Sequence, residues 1–269
     1  MMLLSTGLCL LLLQSVLAEH SSTFKWPYNT SLLKVIGGRH VQYRELPFML
    51  SLEMEDYGHF CGASAIGEYW GLTAAHCAMS SDMHVIVRAG SLTAQRGGTV
   101  HHVERFITHN NFNMRFNFEN DIALIKLKEP FSINRYVQHI SLAMQAEPVH
   151  EGERFNVSGW GFTVPGDFES SSSELKEAEV VVLEPKECQK NPNVGGQILI
   201  TENMICAQQK EHSAYKGDSG GPLFRELGDG RWKQVGIVSW GDSSGMQAHP
   251  AVFTRVSSYR LWIFLKTGI

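Results

Sequence analysis

From residue 35 onward the apolar side chains come in short runs that favour β-branched and aromatic types and stop at Gly, Pro, Asn or Ser. Runs at 48–52, 84–88, 122–127, 179–183, 234–240 and 251–256 are each about strand length, and their spacing predicts an all-β fold, either a barrel or a sandwich. Two segments read as helical. One is a short turn at 73–77; the other is a final helix capped by the Ser257-Ser258 pair, with Tyr259, Trp262 and Ile263 on one side. Residues 169–174, four serines between two glutamates, read as an exposed loop.

The first 34 residues have a different texture. An apolar core at 8–13 leads to Val16-Leu17-Ala18, whose small residues suit signal peptidase, so residues 1–18 read as a secretory signal cleaved after Ala18. That run is too short to span a bilayer. Residues 19–34 are polar and turn-prone, carry the glycosylation sequon Asn29-Thr30-Ser31, and end at Lys34. Composition then narrows the class. With 23 Lys and Arg against 27 Asp and Glu, the net charge of −4 favours neither nucleic acid nor a membrane surface. Cys9 leaves with the signal, and Cys61, Cys77, Cys188 and Cys206 remain. An even set in a secreted chain argues for two disulfides, but spacing alone leaves three pairings open. No C-x-x-C or His–Cys spacing typical of zinc occurs, so no metal and no cofactor is expected.

The densest chemistry lies in Gly217-Asp218-Ser219-Gly220-Gly221-Pro222. A serine hydroxyl is a weak nucleophile until a base takes its proton, and glycines beside it let the backbone turn so that N–H groups face a developing oxyanion. Thr73-Ala74-Ala75-His76-Cys77 offers the base, and Asn120-Asp121-Ile122-Ala123-Leu124 offers a carboxylate to hold that base in one tautomer. The order His76, Asp121, Ser219 is joined by Val35-Ile36-Gly37-Gly38, Cys61-Gly62-Ala63-Ser64, Ser158-Gly159-Trp160-Gly161, Ser239-Trp240-Gly241 and Pro250-Ala251-Val252-Phe253-Thr254. This ordered set resembles the chymotrypsin-like (trypsin-fold) serine peptidases, the family of the Ser-His-Asp mechanism. The resemblance runs from Val35 to about Lys266.

The resemblance implies two six-stranded antiparallel β-barrels with the site between them and a short C-terminal helix, making residues 35–269 one peptidase domain. It implies that Ser219 attacks the scissile carbonyl, His76 carries the proton, Asp121 orients the imidazole, and the backbone N–H groups of Gly217 and Ser219 receive the oxyanion. Ser239 would support Asp121, and Ser239, Trp240 and Gly241 would form an edge to which substrate adds as a strand. Cys61 would pair with Cys77, and Cys188 with Cys206. Cutting after Lys34, at the end of the pro-peptide 19–34, would free the Val35 amine to pair with Asp218. His59 matches the position that occupies this Asp in some zymogens. The specificity pocket would have Ser213 at its floor, Gly241 at an open entrance, Ala251 on its wall, and Ala214 and Lys216 beside it. A serine floor cannot neutralise a buried cation, so Phe, Tyr or Leu is expected at P1.

Departures from the family pattern are paired. Phe155 and Arg225 stand where relatives carry one disulfide, and Tyr215 and Ser244 stand where they carry another. Residues 90–101 contain no acidic side chain, against the calcium site of some relatives. Asn156-Val157-Ser158 is a second formal sequon, abutting an expected core strand. The reading is a secreted, monomeric zymogen of a serine endopeptidase. Its expected partners are protein or peptide substrates, an activating trypsin-like protease and protein inhibitors. The alternatives are an elastase-like preference for small P1 residues, because Ala251 narrows the pocket, and a catalytically silent homologue acting as a binding module.

Overall fold

Strand periodicity becomes visible once the chain folds. In a computed structural model the described residues are 38–54, 57–80, 84–114, 118–161, 173–190, 199–208, 218–241 and 250–269. They all fall within the compact unit Ser31–Ile269. A two-residue strand, β1 (Arg39–His40), comes first. Six strands follow: β2 (Met49–Met54), β3 (Gly58–Gly67), β4 (Trp70–Thr73), β5 (Val85–Ala89), β6 (Thr99–Thr108) and β7 (Ala123–Leu127). They pair in the order β2-β3-β4-β7-β6-β5 and close into an antiparallel barrel. Closure leaves no free edge, which suits a domain built of short strands. In β5 the side chains of Val85, Val87 and Ala89 are buried while Ile86 and Arg88 are only half-covered, the period of two expected of a barrel wall.

The second half repeats the plan. After the short β8 (Ser141–Leu142) come β9 (Arg154–Gly159), β10 (Lys176–Leu183), β11 (Met204–Gln208), β12 (Pro222–Glu226), β13 (Trp232–Gly241) and β14 (Ala251–Arg255). The order β10-β11-β14-β13-β12-β9, with β9 also paired to β10, closes a second six-stranded antiparallel barrel. β1 adds to β10, and β8 runs parallel to β13. The short helix α1 (Pro185–Lys190) lies between β10 and β11, and the chain ends in α2 (Arg260–Thr267).

The barrels meet through apolar and polar contacts. Phe48, before β2, packs its ring edge-on to Phe224 of β12 at 5.1 Å, and Trp232 closes the trio. Beside them Ser64 Oγ donates to Gln234 Oε1 at 2.6 Å, both fully buried, and Gln234 Nε2 donates to the Gly236 carbonyl. Both partners of this buried polar pair are therefore satisfied.

Sequence expectations and structure differ at the helices. The turn expected at 73–77 starts later: β4 runs to Thr73, and a 3-10 turn covers His76–Ser80. The final helix is preceded by a 3-10 turn at Val256–Tyr259 and has no side-chain cap. Ser257 Oγ donates instead to the Glu147 carbonyl, a tertiary partner that outcompetes the local cap. Tyr259 and Ile263 are buried on one side as expected, and Gly268 closes the helix in the left-handed region with its N–H on the Phe264 carbonyl. Of the loop expected at 169–174, only Ser173 and Glu174 are described, and Glu174 forms a bridge with Thr93.

Candidate active site

Asp121 sits in the turn before β7, and its carboxylate is fully buried. A bare buried carboxylate is costly, so its donors matter. The His76 backbone N–H donates to Oδ1 at 2.9 Å, and His76 Nδ1–H donates to Oδ2 at 2.8 Å. Ser239 Oγ–H donates to the same Oδ2 at 2.5 Å. The Asp121 carbonyl accepts Thr254 Oγ1–H at 2.8 Å. Two of these four donors come from the second barrel, although Asp121 belongs to the first. With Nδ1–H on Asp121, the imidazole keeps Nε2 as an acceptor; its neighbour at 3.7 Å, Cys77 Sγ, is a disulfide sulfur with no proton to give.

Ser219 and Gly220 dock against the first barrel at Gly62 and Thr73. The Gly62 N–H donates to the Ser219 carbonyl at 2.8 Å, and the Gly62 carbonyl accepts Thr73 Oγ1–H at 2.8 Å. Gly220 has φ +80°, and a Cβ there would lie 2.1 Å from Thr73 Oγ1 and 2.5 Å from the Gly62 carbonyl. Only glycine permits that approach, which is the reason for the small residue after the serine. Ser219 is fully buried, and its Oγ has no hydrogen-bond partner among the described residues.

Of the residues expected to act in activation, only part is described. Lys34 and Val35 lie outside the described residues, as do residues 1–33 with Asn29. Asp218 is buried; its Oδ1 accepts the Gly161 N–H at 3.0 Å, and a Cβ at Gly159 would fall 1.8 Å from that oxygen. His59, on β3, packs its ring edge against Trp160 at 5.5 Å, so both residues abut the 159–161 segment. Ser51 Oγ donates to Glu53 Oε1 at 2.9 Å, which leaves it to accept from His59 Nδ1 at 2.8 Å.

Of the expected substrate-binding residues, Ser213, Ala214 and Lys216 lie outside the described residues, together with Gly217, Tyr215 and Ser244. Ser239, Trp240 and Gly241 end β13. A register shift between Val238 and Trp240 re-aims Ser239 towards Asp121, the usual effect of a bulge. Gly241 pairs with Ala251 across to β14, which puts the Ala251 methyl on the strand beside the open glycine. Among the described residues no strand pairs with the other edge of 239–241. The bridges are Cys61–Cys77 and Cys188–Cys206, the pairing implied by the resemblance. Asn156 lies in β9, between β10 and β12, and its Nδ2 donates to Glu177 Oε1.

The structure also brings in residues that motif reading passed over. The Phe118 ring stands edge-on to the His76 ring at 6.3 Å and 6.3 Å from the Trp240 ring. The Tyr259 hydroxyl donates to Asn120 Oδ1 at 3.1 Å. Burial pushes that phenol above its ordinary range, and the charges of Glu119 and Asp121 push the same way, so it stays a neutral donor beside two carboxylates. The available signal was an aromatic three residues before Asp121, a type that more often means core packing.

The sequence matches the Trypsin family across residues 35–263. It is 35% identical over 248 residues to Trypsin 5G1 of Aedes aegypti, an alignment covering 91% of this chain and 89% of that protein. With two closed barrels and a buried His–Asp pair already in place, the match settles the lineage: the chain belongs to the trypsin family of serine endopeptidases.

Proposed function

We propose that Ser219, His76 and Asp121 carry out acyl transfer. His76 Nε2 takes the hydroxyl proton as Ser219 Oγ bonds to the scissile carbonyl carbon, and the Gly217 and Ser219 N–H groups hold the resulting oxyanion. Collapse breaks the C–N bond, and the leaving amine departs with the proton from His76. Water then attacks the acyl-enzyme by the same route in reverse, releasing the acid and free Ser219. One oxyanion donor of this kind typically contributes about 3 kcal/mol. The observation that carries the reading is the Asp121 carboxylate, buried and held by His76 and by Ser239 from the opposite barrel. That arrangement fixes the imidazole tautomer that a general base requires. The test is labelling with a fluorophosphonate after tryptic cleavage: wild type labels at Ser219, and Ser219→Ala and His76→Ala do not. Cleaved wild type that failed to label would favour a silent binding module.

The finer reading is a secreted zymogen with residues 1–18 as signal and 19–34 as pro-peptide, a monomer activated by a trypsin-like protease and open to protein inhibitors. Among the described residues no helix is long and apolar enough to cross a membrane. Activation follows cleavage after Lys34, when the Val35 amine pairs with Asp218. Lys34→Gln is expected to resist tryptic activation; full activity of that variant with the pro-segment uncut elsewhere would sink this step. The glycan is placed at Asn29. At Asn156 a glycan would have to displace the amide from Glu177 inside a strand paired on both sides. For P1, Ser213 at the pocket floor supports Phe, Tyr or Leu. A panel of Phe, Tyr, Leu, Ala, Arg and Lys substrates decides: highest kcat/KM on Ala means an elastase-like pocket, and on Arg or Lys it overturns the pocket reading. Gly241 opposite Ala251 supports the elastase-like alternative to the extent of one methyl group.

A further inference from the structure

The turn that delivers Asp121 carries two residues in the left-handed region, Phe118 at φ +53° and Asn120 at φ +60°. Asparagine adopts it readily, whereas an aromatic side chain seldom does without external support. The residue between them is Glu119. Its Oε2 accepts Thr201 Oγ1–H and its Oε1 accepts Asn203 Nδ2–H, each at 2.8 Å. Both donors lie in the segment that leads into β11 of the second barrel. That segment is itself anchored, since the Arg255 N–H donates to the Asn203 carbonyl and Arg255 Nε to the Glu202 carbonyl, both at 2.8 Å. Phe118, next along the chain, packs on a second-barrel cluster that includes Ile200, Met204, Trp240 and Val252. The side chains of Phe118 and Glu119 thus cross from one barrel to the other, with Phe118 against the His76 ring.

We propose that Glu119 is a positioning residue for substrate selection: its two-pronged carboxylate clamp sets the gap between Phe118 and Trp240 beside His76. The inference rests on the proposed use of the open 239–241 edge by an extended substrate. A chain laid along that edge passes the Trp240 ring, and Phe118 faces the same ring from the opposite barrel. Without the carboxylate, Phe118 loses the tie that its neighbour makes to the second barrel, while Asn120 is still held by Asn111 and Tyr259 and Asp121 by His76, Ser239 and Thr254.

The experiment compares Glu119→Ala and Glu119→Gln with wild type after cleavage at Lys34. It uses a single-residue aromatic ester and two peptide series with the same P1, one with Gly and one with Leu in the positions before it. For Glu119→Ala, KM for the Leu series is expected to rise about tenfold with kcat little changed, the pattern of lost binding rather than lost chemistry. The ester is expected to move less than about twofold, because it makes no contact beyond P1. Glu119→Gln keeps one acceptor and is expected to recover part of the loss. Thr201→Val with Asn203→Ala removes the clamp from the other side. This pair is expected to copy the defect and add little to Glu119→Ala, as partners in one interaction do. It also carries the test if Glu119→Ala fails to fold. Equal losses on all three substrates, or unchanged discrimination, overturn the inference. If wild type itself does not label with fluorophosphonate, it is the reading of Ser219 as nucleophile that falls.

Discussion

In the proposed site Asp121 is the residue that gathers the others, because a buried carboxylate must collect donors. Ser239 Oγ shares Oδ2 with the His76 ring. Ser239→Ala removes a charge-assisted hydrogen bond, and kcat is expected to fall about tenfold with KM nearly unchanged. Steady-state kinetics on the activated enzyme checks this, and an unchanged kcat would show the hydroxyl to be idle. A second buried acid acts on stability. Burial opposes ionisation of Glu53, but hydrogen bonds from Arg88, the Gln95 N–H and Ser51 outweigh it and hold the carboxyl below its ordinary value. Because the folded group titrates below the unfolded one, its contribution is complete above the ordinary glutamate range. It is lost as pH falls through the lower folded value. Glu53→Gln is expected to cost about 3 kcal/mol at neutral pH by leaving Arg88 short of its partner. The gap from wild type should then close under acid, and thermal melts from pH 7 to pH 3 would show two parallel curves if Glu53 contributes nothing.

Among the elements, β9 and β12 show how the second barrel manages without a bridge that relatives have. The register Leu223↔Val157 and Phe224↔Asn156 places Arg225 next to Phe155. The Arg225 guanidinium lies over the Phe155 ring at 5.2 Å, while its Nη1–H donates to Glu153 Oε2 at 3.3 Å. A buried ring capped by a paired cation replaces a covalent link by packing and a contact of about 1 kcal/mol. Phe155→Cys with Arg225→Cys should therefore oxidise to a third disulfide. Thiol titration would read no added free thiol, and the oxidised form should melt higher than the reduced one; two persistent free thiols would refute the register argument. The same logic explains which strands were legible. β5, β7, β13 and β14 carry alternating or continuous apolar runs and coincide with expected segments. β3 is built largely of glycine, alanine and serine, and β6 is mostly exposed, so neither shows an apolar period.

At the scale of the molecule, the two barrels matter because the proposed site draws on both. His76 and Asp121 come from the first, and Ser219, Ser239 and Thr254 from the second. The proposed activation also belongs to this scale. The segment 19–34 read as a pro-peptide has no cysteine, so cleavage after Lys34 is expected to release it, leaving a new N-terminus at Val35 that N-terminal sequencing would read. On that proposal Asp218→Asn should be cut at the same bond as wild type yet stay about a hundredfold less active, because the loop would lose the charged tether proposed between Val35 and Asp218. Full activity in that variant would dissociate cleavage from the switch.

The amino-acid sequence by itself determined the reaction chemistry and the strand-rich class. A Gly-Asp-Ser-Gly-Gly turn, a histidine beside a cysteine and an aspartate before an apolar run are local signals, and local signals survive in one dimension. Even the cysteine pairing stayed open until resemblance chose it and the folded chain placed Cys61 on Cys77 and Cys188 on Cys206. The tertiary structure alone decided how distant positions share their polar atoms. It set Ser239 on Asp121, Glu119 on Thr201 and Asn203, Arg225 over Phe155, and the Asn156 amide on Glu177. Those partners are far apart along the chain and meet only because barrel closure sets the register. No propensity or period encodes a donor whose acceptor lies in the other barrel.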